Sequence, residues 1–203
     1  MKIAIIGATG NVGQRLISEA VNRGHEVTGI ARNIGTDEET SQFKKVQGNV
    51  DDPQALAETL KGNDVVISSV KFLSSEPNKL IEAVRLSGVK RYLIVGGASS
   101  LQFSPGVTVL DSGHVPDWAI EEAKSGVRFL EILRGVTDLD WTFLSPAALF
   151  TDGQRTGEFR LGKDDLLVGA DGKSWISYED FSVAMLDEIE EPKHLKTRFT
   201  VGY

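Results

Sequence analysis

The sequence predicts a doubly wound α/β fold built on a mostly parallel sheet. Short apolar runs alternate with amphipathic helical patterns over most of the 203 residues, as in strands joined by helical crossovers. The runs are nearly continuous in apolar character, which is typical of strands that are covered on both faces. A glycine-rich turn joins the first run to the first helical pattern. These three observations together indicate the fold class.

The predicted strands and helices alternate regularly along the chain. Right-handed crossovers give an expected strand order of 3-2-1-4-5-6 plus a C-terminal strand. The six strands are predicted at residues 3–6, 26–31, 46–50, 64–70, 91–95 and 141–144, and the C-terminal strand at 198–201. Helices are predicted at residues 12–23, from 53 onward, and at 78–86, 116–133 and 179–189.

The domain organisation is predicted to be simple. A chain of this length suits one domain, so residues 1–203 are expected to form a single unit. Residues 147–173 carry glycine-rich breaks and short β-like pieces. We expect them to form a small lobe over the carboxyl edge of the sheet, where a substrate would bind.

The composition excludes several function classes. There is no cysteine, which removes disulfides, thiolate nucleophiles and cysteine-based metal sites. The three histidines show no metal-ligand spacing, so no metal site is expected. A formal net charge of −7 gives no support to nucleic-acid binding. No stretch approaches the ~20 apolar residues of a membrane span, and we expect a soluble, cytoplasmic monomer or homodimer.

The glycine-rich turn reads Gly7-Ala8-Thr9-Gly10-Asn11-Val12-Gly13 and opens the first helix. In such a turn Gly7 permits the tight bend, Gly10 lets a diphosphate approach the backbone, and Gly13 lets the helix pack closely. The helix N-terminus then offers free amides to the anion. The turn therefore predicts a dinucleotide site. The alternative is an ordinary glycine-rich strand–helix turn.

The end of the second strand predicts which nucleotide binds. Sites for NAD usually carry an acid about 20 residues beyond the glycines, but here Arg32 follows the strand and no acid stands there. A guanidinium pairs with a 2′-phosphate that a carboxylate would repel. We therefore expect NADPH, with NADH possible and a solvated surface arginine as the alternative. Asp37, Glu38 and Glu39 are expected to face water.

Taken together, the glycine turn and Arg32 resemble the atypical short-chain dehydrogenase/reductase superfamily. Three later segments narrow the likeness, and it runs nearly end to end. They are residues 139–147 (LDWTFLSPA), 155–160 (RTGEFR) and 174–181 (SWISYEDF). These segments resemble the NADH–flavin reductase family, which is similar to flavin/biliverdin reductase B and has NmrA-like relatives.

The resemblance implies cofactor contacts that lie at the carboxyl ends of strands, where open α/β sheets bind ligands. It places the diphosphate beside Thr9, Asn11 and Val12 as well as the glycines. The other implied contacts are Asn49 and Val50 at the adenine, Ser68, Ser69 and Val70 at the nicotinamide-side ribose, and Pro146 and Ala147 at the nicotinamide.

The sequence lacks the Tyr-x-x-x-Lys pair with which related enzymes protonate a carbonyl oxygen. Tyr92 is followed four residues later by Gly96, and Tyr178 by Ser182, while Tyr203 is the last residue. In the expected helix Ile120 stands four residues before Lys124. Gly97 occupies the place of the usual serine. No catalytic residue is assigned from the sequence.

This absence favours an acceptor that needs no positioned acid. An oxidised flavin takes a hydride and spreads the charge over its own ring, so the protein mainly stacks two rings. Gly96 and Gly97 would leave room for a flat ring, with Phe103, Trp118 or Phe150 as walls unless they only pack in the core.

We therefore predict an NAD(P)H-dependent oxidoreductase, an NADPH:flavin reductase whose flavin is a small-molecule substrate rather than a bound prosthetic group. The alternative is a non-catalytic NADP(H)-sensing regulator of the NmrA type. A sugar-nucleotide or isoflavone-type enzyme is disfavoured by the missing acid and the short lobe. Three acidic features are predicted to be structural: residues 51–52 as a helix cap, Asp180 as a cap or brace of the last helix, and 187–191 as a solvated face.

Overall fold

The computed structural model describes residues 1–34 and 39–203. Its strands are β1 Lys2–Ile6, β2 Glu26–Ala31, β3 Phe43–Gln47, β4 Val65–Ser68, β5 Arg91–Val95, β6 Gln102–Ser104, β7 Val107–Thr108, β8 Asp140–Pro146, β9 Leu149–Thr151, β10 Arg160–Gly162, β11 Trp175–Ser177 and β12 Thr197–Gly202. Its α-helices are α1 Asn11–Asn22, α2 Pro53–Leu60, α3 Pro77–Ser87, α4 Ile120–Arg134 and α5 Tyr178–Glu190. The doubly wound α/β class is confirmed.

The main sheet has eight strands among the described residues, in the order β10-β12-β8-β5-β4-β1-β2-β3. From β3 to β12 all neighbours pair in parallel, and β10 alone pairs antiparallel, with β12. The predicted order 3-2-1-4-5-6 is confirmed, since β8 is the sixth strand of the parallel series. The C-terminal strand β12 continues the sheet beside β8, as predicted.

Helices cover both faces of the sheet and bury two apolar cores. On one face α2, α3 and α4 pack over side chains such as Tyr92 and Phe143. On the other face α1 and α5 pack over Ile5, Leu93 and Phe199. Burial on both faces explains why the central strands are nearly continuous in apolar residues.

Two helix starts follow the chemistry of their first residues. The Asp52 side chain caps α2 by accepting a hydrogen bond from Ala55 N at 3.0 Å, and Pro53 stands in the first turn. The cap predicted at residues 51–52 is thereby confirmed. The predicted helix 116–133 starts too early, because Pro116 leads into a short 3₁₀ turn at Asp117–Ala119 and α4 begins at Ile120.

The third strand was predicted wrongly at residues 46–50. The structure places β3 at Phe43–Gln47, at the edge of the sheet, with Lys44 and Gln47 exposed. Only one face of an edge strand needs apolar residues, so the apolar-run criterion shifted the prediction toward Val50. That side chain lies in the core beyond the end of the strand.

The acidic run 187–191 is not wholly a solvated face, so that prediction was wrong for Glu188. This side chain is buried, and its carboxylate pairs with Arg91 at 2.9 Å. It also accepts hydrogen bonds from the backbone of Lys193 and His194. Glu188 thereby fastens the loop after α5 to the sheet.

The region beyond β8 lies at the carboxyl edge and returns along the sheet. Strand β9 pairs in parallel with β11, and β10 joins the edge of the main sheet. The β6–β7 hairpin after β5 was not predicted. Among the described residues no helix is both long and apolar enough to cross a membrane.

Candidate functional site

The turn after β1 depends on a residue without a side chain at Gly7. Its φ is +91°, and a Cβ there would lie 2.2 Å from the Ser69 carbonyl oxygen. The Gly7 amide donates to Ile30 O at 2.8 Å. The turn is therefore locked between the ends of β2 and β4.

The start of α1 is open to an anion. A Cβ at Gly13 would lie 2.1 Å from Gly7 O, so this glycine lets the helix sit directly on the turn. Gly10 precedes the helix without a side-chain cap, and the first turn of α1 carries no acid. Thr9, Gly10 and Asn11 are exposed. Uncapped amides and a positive helix end in one exposed place suit a diphosphate.

Arg32 is exposed at the carboxyl end of β2. No ion pair joins its guanidinium to any residue in 1–34 or 39–203. Together with Asp51, Ser74 and Ser75 it lines a cleft of about 500 Å³. A cation on a cleft beside the glycine turn fits the 2′-phosphate prediction. Glu39 is exposed as expected, while Asp37 and Glu38 lie outside the described residues.

Asn49 and Val50 lie in the loop after β3 rather than in the strand. The Asn49 side chain accepts a hydrogen bond from Asp51 N at 3.0 Å, which shapes the turn into α2. Val50 is buried. Both residues still stand at the carboxyl edge, and their predicted contact with adenine stays a prediction.

Ser68, Ser69 and Val70 end β4 next to the glycine turn. Ser68 is buried, and its oxygen accepts a hydrogen bond from the Tyr92 hydroxyl at 3.1 Å. Burial raises the pKa of Tyr92, so this phenol stays neutral. Ser69 and Val70 are half-buried against Gly7. At these positions the backbone and the Val70 side chain face the turn, while the Ser68 hydroxyl is buried and hydrogen-bonded to Tyr92 in the core.

A mostly apolar cavity of about 820 Å³ opens at the same edge, between the loop after β5, helix α4 and the segment after β8. Pro146 and Ala147 line it, as do Gly96 and Gly97. The three aromatic residues singled out from the sequence also line it, and they are Phe103, Trp118 and Phe150. The structure therefore gathers Pro146, Ala147 and the predicted ring walls around one cavity, whereas Ser68, Ser69 and Val70 do not line it.

Gly96 and Gly97 both line this cavity, but a side chain at each position would meet different surroundings. A Cβ at Gly96 would lie 2.3 Å from the Phe143 ring, so packing in the sheet requires this glycine. A Cβ at Gly97 would meet only Phe72, at 3.7 Å. Gly97 therefore leaves free space in the cavity, as predicted from the sequence, and Gly96 does not.

Sequence reasoning missed Phe72, which lies in a 3₁₀ turn after β4 and forms part of the cavity wall. Its ring packs against Gly126, where a Cβ would come within 2.9 Å, and stacks on Phe143 at 6.2 Å. A glycine inside the predicted helix was the available signal, because an interior helix glycine usually marks a close contact.

The structure contains no tyrosine–lysine pair at the cavity among the residues it describes. Lys124 is exposed and pairs with Glu121 at 2.8 Å. The cavity-facing acid of α4 is Glu122, which accepts hydrogen bonds from Phe72 N at 2.7 Å and Leu73 N at 3.0 Å. The described lining is mostly apolar and does not contain the pair that would protonate a carbonyl.

Asp180 braces the segment 152–159 that leads from the cavity to β10. Its buried carboxylate accepts hydrogen bonds from Thr156 N, Gly157 N and the Tyr203 hydroxyl at 2.6–2.8 Å. Burial, and then the Asp180 carboxylate, raise the pKa of Tyr203. Asp180 thus has a structural role, as predicted, but it holds the segment 152–159 rather than capping the last helix. The cap of α5 itself is Ser177.

The same segment is held to α1 by an ion pair. Arg155 contacts the buried Glu19 through two hydrogen bonds of 2.7 and 2.8 Å, and Arg23 adds a third at 2.8 Å. The hydrogen bond from Arg155 is the largest cause that lowers the pKa of Glu19. In the described ranges no cluster of acids and histidines could hold a metal.

The fold and the open glycine turn define a nicotinamide-nucleotide-binding protein, and the comparison with known families agrees. A family model described as NAD(P)H-binding matches residues 7–192. The chain belongs to the NAD(P)H-binding family.

Two curated relatives cover nearly all of the chain. The uncharacterized protein YwnB of Bacillus subtilis is 38% identical over 99% of this chain and 98% of its own length. A bifunctional pinoresinol-lariciresinol reductase of Forsythia intermedia is 30% identical over 96% of this chain and 67% of its own length. The family to which the chain belongs is thus one of NAD(P)H-binding oxidoreductases.

Solved structures show the same fold. A putative epimerase from Bacteroides thetaiotaomicron is 42% identical with a TM-score of 0.95, over 100% of this chain and 96% of that one. A putative NADH-flavin reductase from Streptococcus pneumoniae is 32% identical with a TM-score of 0.83, over 100% and 99% of the two chains. The resemblance to the NADH–flavin reductases is confirmed at this level.

Proposed function

We propose that this protein is an NADPH-dependent reductase that transfers a hydride to a flat conjugated acceptor, with a flavin as a diffusing substrate. One observation carries the proposal. The mostly apolar cavity lies at the carboxyl edge of the sheet, beyond β5 and β8, and is lined by Phe103, Trp118 and Phe150. It holds no tyrosine–lysine pair among the described residues. Such a cavity suits an acceptor that needs stacking rather than acid catalysis.

The residues of the turn fit a nicotinamide dinucleotide. Gly7 and Gly13 have no room for a side chain, and the uncapped start of α1 offers its amides to the diphosphate. Arg32 adds a cation for a 2′-phosphate, which favours NADPH over NADH. When bound, the dihydronicotinamide supplies the hydride.

The chain's own residues position and enclose the rings. Pro146 and Ala147 form the floor of the cavity at the end of β8. Phe150 is fixed by an edge contact with Tyr178 and by Phe181, both at 4.7 Å between ring centres. A wall held in this way keeps two flat rings parallel, and a proton from solvent completes the reduction of the acceptor.

The name of the Bacteroides neighbour suggests a different chemistry. An epimerase of the short-chain type relies on the tyrosine–lysine pair to move a proton on oxygen. Ile120 and the surface pair of Lys124 with Glu121 stand in its place. This arrangement favours the reductase.

Consumption of NADPH, followed by its absorbance with and without riboflavin, tests the proposal. We expect turnover on the order of 1 s⁻¹ or faster with riboflavin present. Binding of NADPH without consumption would instead support the alternative, a non-catalytic NADP(H)-sensing regulator of the NmrA type.

A matched pair of variants locates the acceptor. Gly97→Val puts a branched side chain into free cavity space, whereas Gly97→Ala adds one methyl at an ordinary 3.7 Å contact. We expect the valine variant to raise the KM for riboflavin at least about tenfold, a cost near 1.4 kcal/mol, while NADPH still binds. Equal kinetics for both variants would place the acceptor elsewhere.

A further inference from the structure

The charge of the acceptor cavity is unusual for a site that would take a phosphorylated flavin. Its lining contains no lysine and no arginine within the described part of the chain. The ionisable lining groups are His114, Glu122 and Tyr178. A phosphate that entered this cavity would find no guanidinium or ammonium to neutralise it.

The negative charge in the wall is fixed in place. Both oxygens of Glu122 accept hydrogen bonds from consecutive backbone amides of the 3₁₀ turn, at Phe72 and Leu73. These two contacts hold the Glu122 carboxylate at the cavity wall. It would repel a dianionic phosphate.

Three cations that adjoin the lining are already paired with acids. Arg15, which lies against Tyr178, pairs with Glu179 at 2.9 Å. Arg198, which donates to Ser100, pairs with Asp164 at 2.6 Å.

The third cation is Lys173, next to Gly172 and Ser174 of the lining. Its ammonium lies 3.7 Å from Asp171 and is 73% exposed. Arg15 and Arg198 are thus engaged by acids, while Lys173 and Lys71 are exposed side chains outside the lining.

The rim, in contrast, offers flat apolar faces. Trp118 is 87% exposed and Phe103 is 46% exposed, although both line the cavity. Phe103 stacks on His114 with ring centres 4.7 Å apart. Exposed aromatic faces around an apolar opening suit a neutral conjugated ring, which gains from burial and stacking without losing solvation of a charge.

We infer that the cavity selects electrically neutral flat acceptors, namely riboflavin-type rings without a phosphate or neutral quinones, over FMN and FAD. This inference rests on the proposed reductase function and narrows its substrate class. NADPH is oxidised to NADP⁺ as its hydride adds to the acceptor, and one proton from water completes the two-electron reduction. The phosphate of FMN adds only repulsion from Glu122 and from a chain of net charge −7.

The first test compares riboflavin with FMN as acceptors at saturating NADPH and low ionic strength. We expect kcat/KM for riboflavin to exceed that for FMN about fivefold or more, as one unscreened like-charge contact predicts. The ratio of kcat/KM for riboflavin to that for FMN should fall in 0.5 M salt, because the Debye length then falls below about 10 Å and the charges are screened. Equal or better use of FMN at low salt would overturn the inference and leave the reductase function standing.

A charge introduced at the rim provides the matched control. Val168 lines the cavity and is 46% exposed. Val168→Lys should raise kcat/KM for FMN relative to riboflavin about fivefold, whereas Val168→Gln, of similar length and no charge, should not. The same change in both variants would contradict an electrostatic origin.

Binding separates the failure of this inference from the failure of the proposed function. Riboflavin and FMN are titrated into the NADP⁺-saturated protein and followed by quenching of flavin fluorescence. Tighter binding of riboflavin without any turnover would uphold the neutral selectivity and overturn the reductase. Failure of both flavins to bind would overturn both.

Discussion

Single glycines decide where a ligand can approach the turn after β1. Gly7 and Gly13 are fixed by the fold, because a Cβ at either would lie within 2.2 Å of a backbone oxygen. Gly10 is different. Its φ is −75°, and a Cβ there would meet Gly7 O at 3.3 Å, a tight contact but not a prohibitive one. The fold leaves Gly10 nearly free, so its role lies in the space it gives a ligand.

Gly10→Ala therefore separates folding from binding. We expect the free energy of unfolding to change by less than about 1 kcal/mol, while the Kd for NADPH rises at least about tenfold because the diphosphate can no longer reach the amides. Gly135→Ala, with a similar 3.4 Å contact at the end of α4, is the control for both quantities. Chemical denaturation and calorimetry measure them. Unchanged NADPH affinity in Gly10→Ala would place the diphosphate elsewhere.

We expect Arg32 to set the preference between NADPH and NADH. Removing a charge-assisted contact to the 2′-phosphate in Arg32→Ala should weaken NADPH binding by about 1.5–3 kcal/mol and leave NADH binding nearly unchanged. Arg134→Ala, an exposed arginine at the end of α4, serves as the control. Equal losses for NADPH and NADH, measured by calorimetry, would refute the 2′-phosphate assignment.

Among the elements, the segment 152–159 has no regular structure and depends on side chains of two helices. Asp180 of α5 holds Thr156 and Gly157, and Glu19 of α1 holds Arg155. These contacts hold the chain in place between the cavity wall and β10. They explain why an irregular segment follows a defined path.

Arg155→Gln should destabilise the protein at neutral pH and make its stability less dependent on pH in the acid range. The pKa of Glu19 lies below its ordinary 4.5, chiefly because of Arg155. The pair thus stabilises the fold above that value, and its contribution is lost as the pH falls through the lowered pKa. We expect a loss of about 1 kcal/mol at pH 7, since Arg155 is half exposed and Arg23 remains. The difference in stability between the variant and the wild type should shrink as the pH falls through the lowered pKa of Glu19.

Urea unfolding of Arg155→Gln at several pH values between about 7 and 3 measures this effect. Lys173→Gln removes an exposed pair of the same region and is expected to unfold like the wild type. An Arg155→Gln profile that coincides with the wild type at every pH would show that the pair contributes nothing.

Elements whose residues face the core on both sides could be predicted well from the sequence. The strands β2 and β5 agree residue for residue with the prediction, because every apolar residue in them has a buried place. The edge strand β3 and the hairpin β6–β7 could not be found in this way, since Lys44, Gln102 and Phe103 are exposed. Their positions are set by contacts with distant parts of the chain.

The candidate site likewise contains one part that a local sequence pattern identifies and one part that only the fold brings together. The glycine turn and Arg32 are local in sequence, and the structure brings them to one edge. The cavity combines Phe72, Gly126 and Tyr178 from three separate elements, and no local pattern joins them. The sequence motif therefore located the candidate nucleotide site, whereas the candidate acceptor cavity could be found only from the fold.

At the scale of the whole molecule, the parallel order of the sheet brings both openings to one edge. The cleft at Arg32 lies beyond β2, the glycine turn beyond β1, and the cavity beyond β5 and β8. The strand order reverses between β1 and β4, which separates the half of the sheet with Arg32 from the half with the cavity. A dinucleotide laid along this edge would reach from Arg32 to Pro146, which is the usual use of such a reversal.

Calorimetric titration of NADPH and NADH into the purified protein tests the central claim, that a dinucleotide rests its diphosphate on the amides between Gly7 and Gly13. We predict saturable binding of NADPH with a Kd well below about 1 mM, weaker binding of NADH, and a marked loss in Gly10→Ala. No uptake of either nucleotide at millimolar concentration would contradict the account.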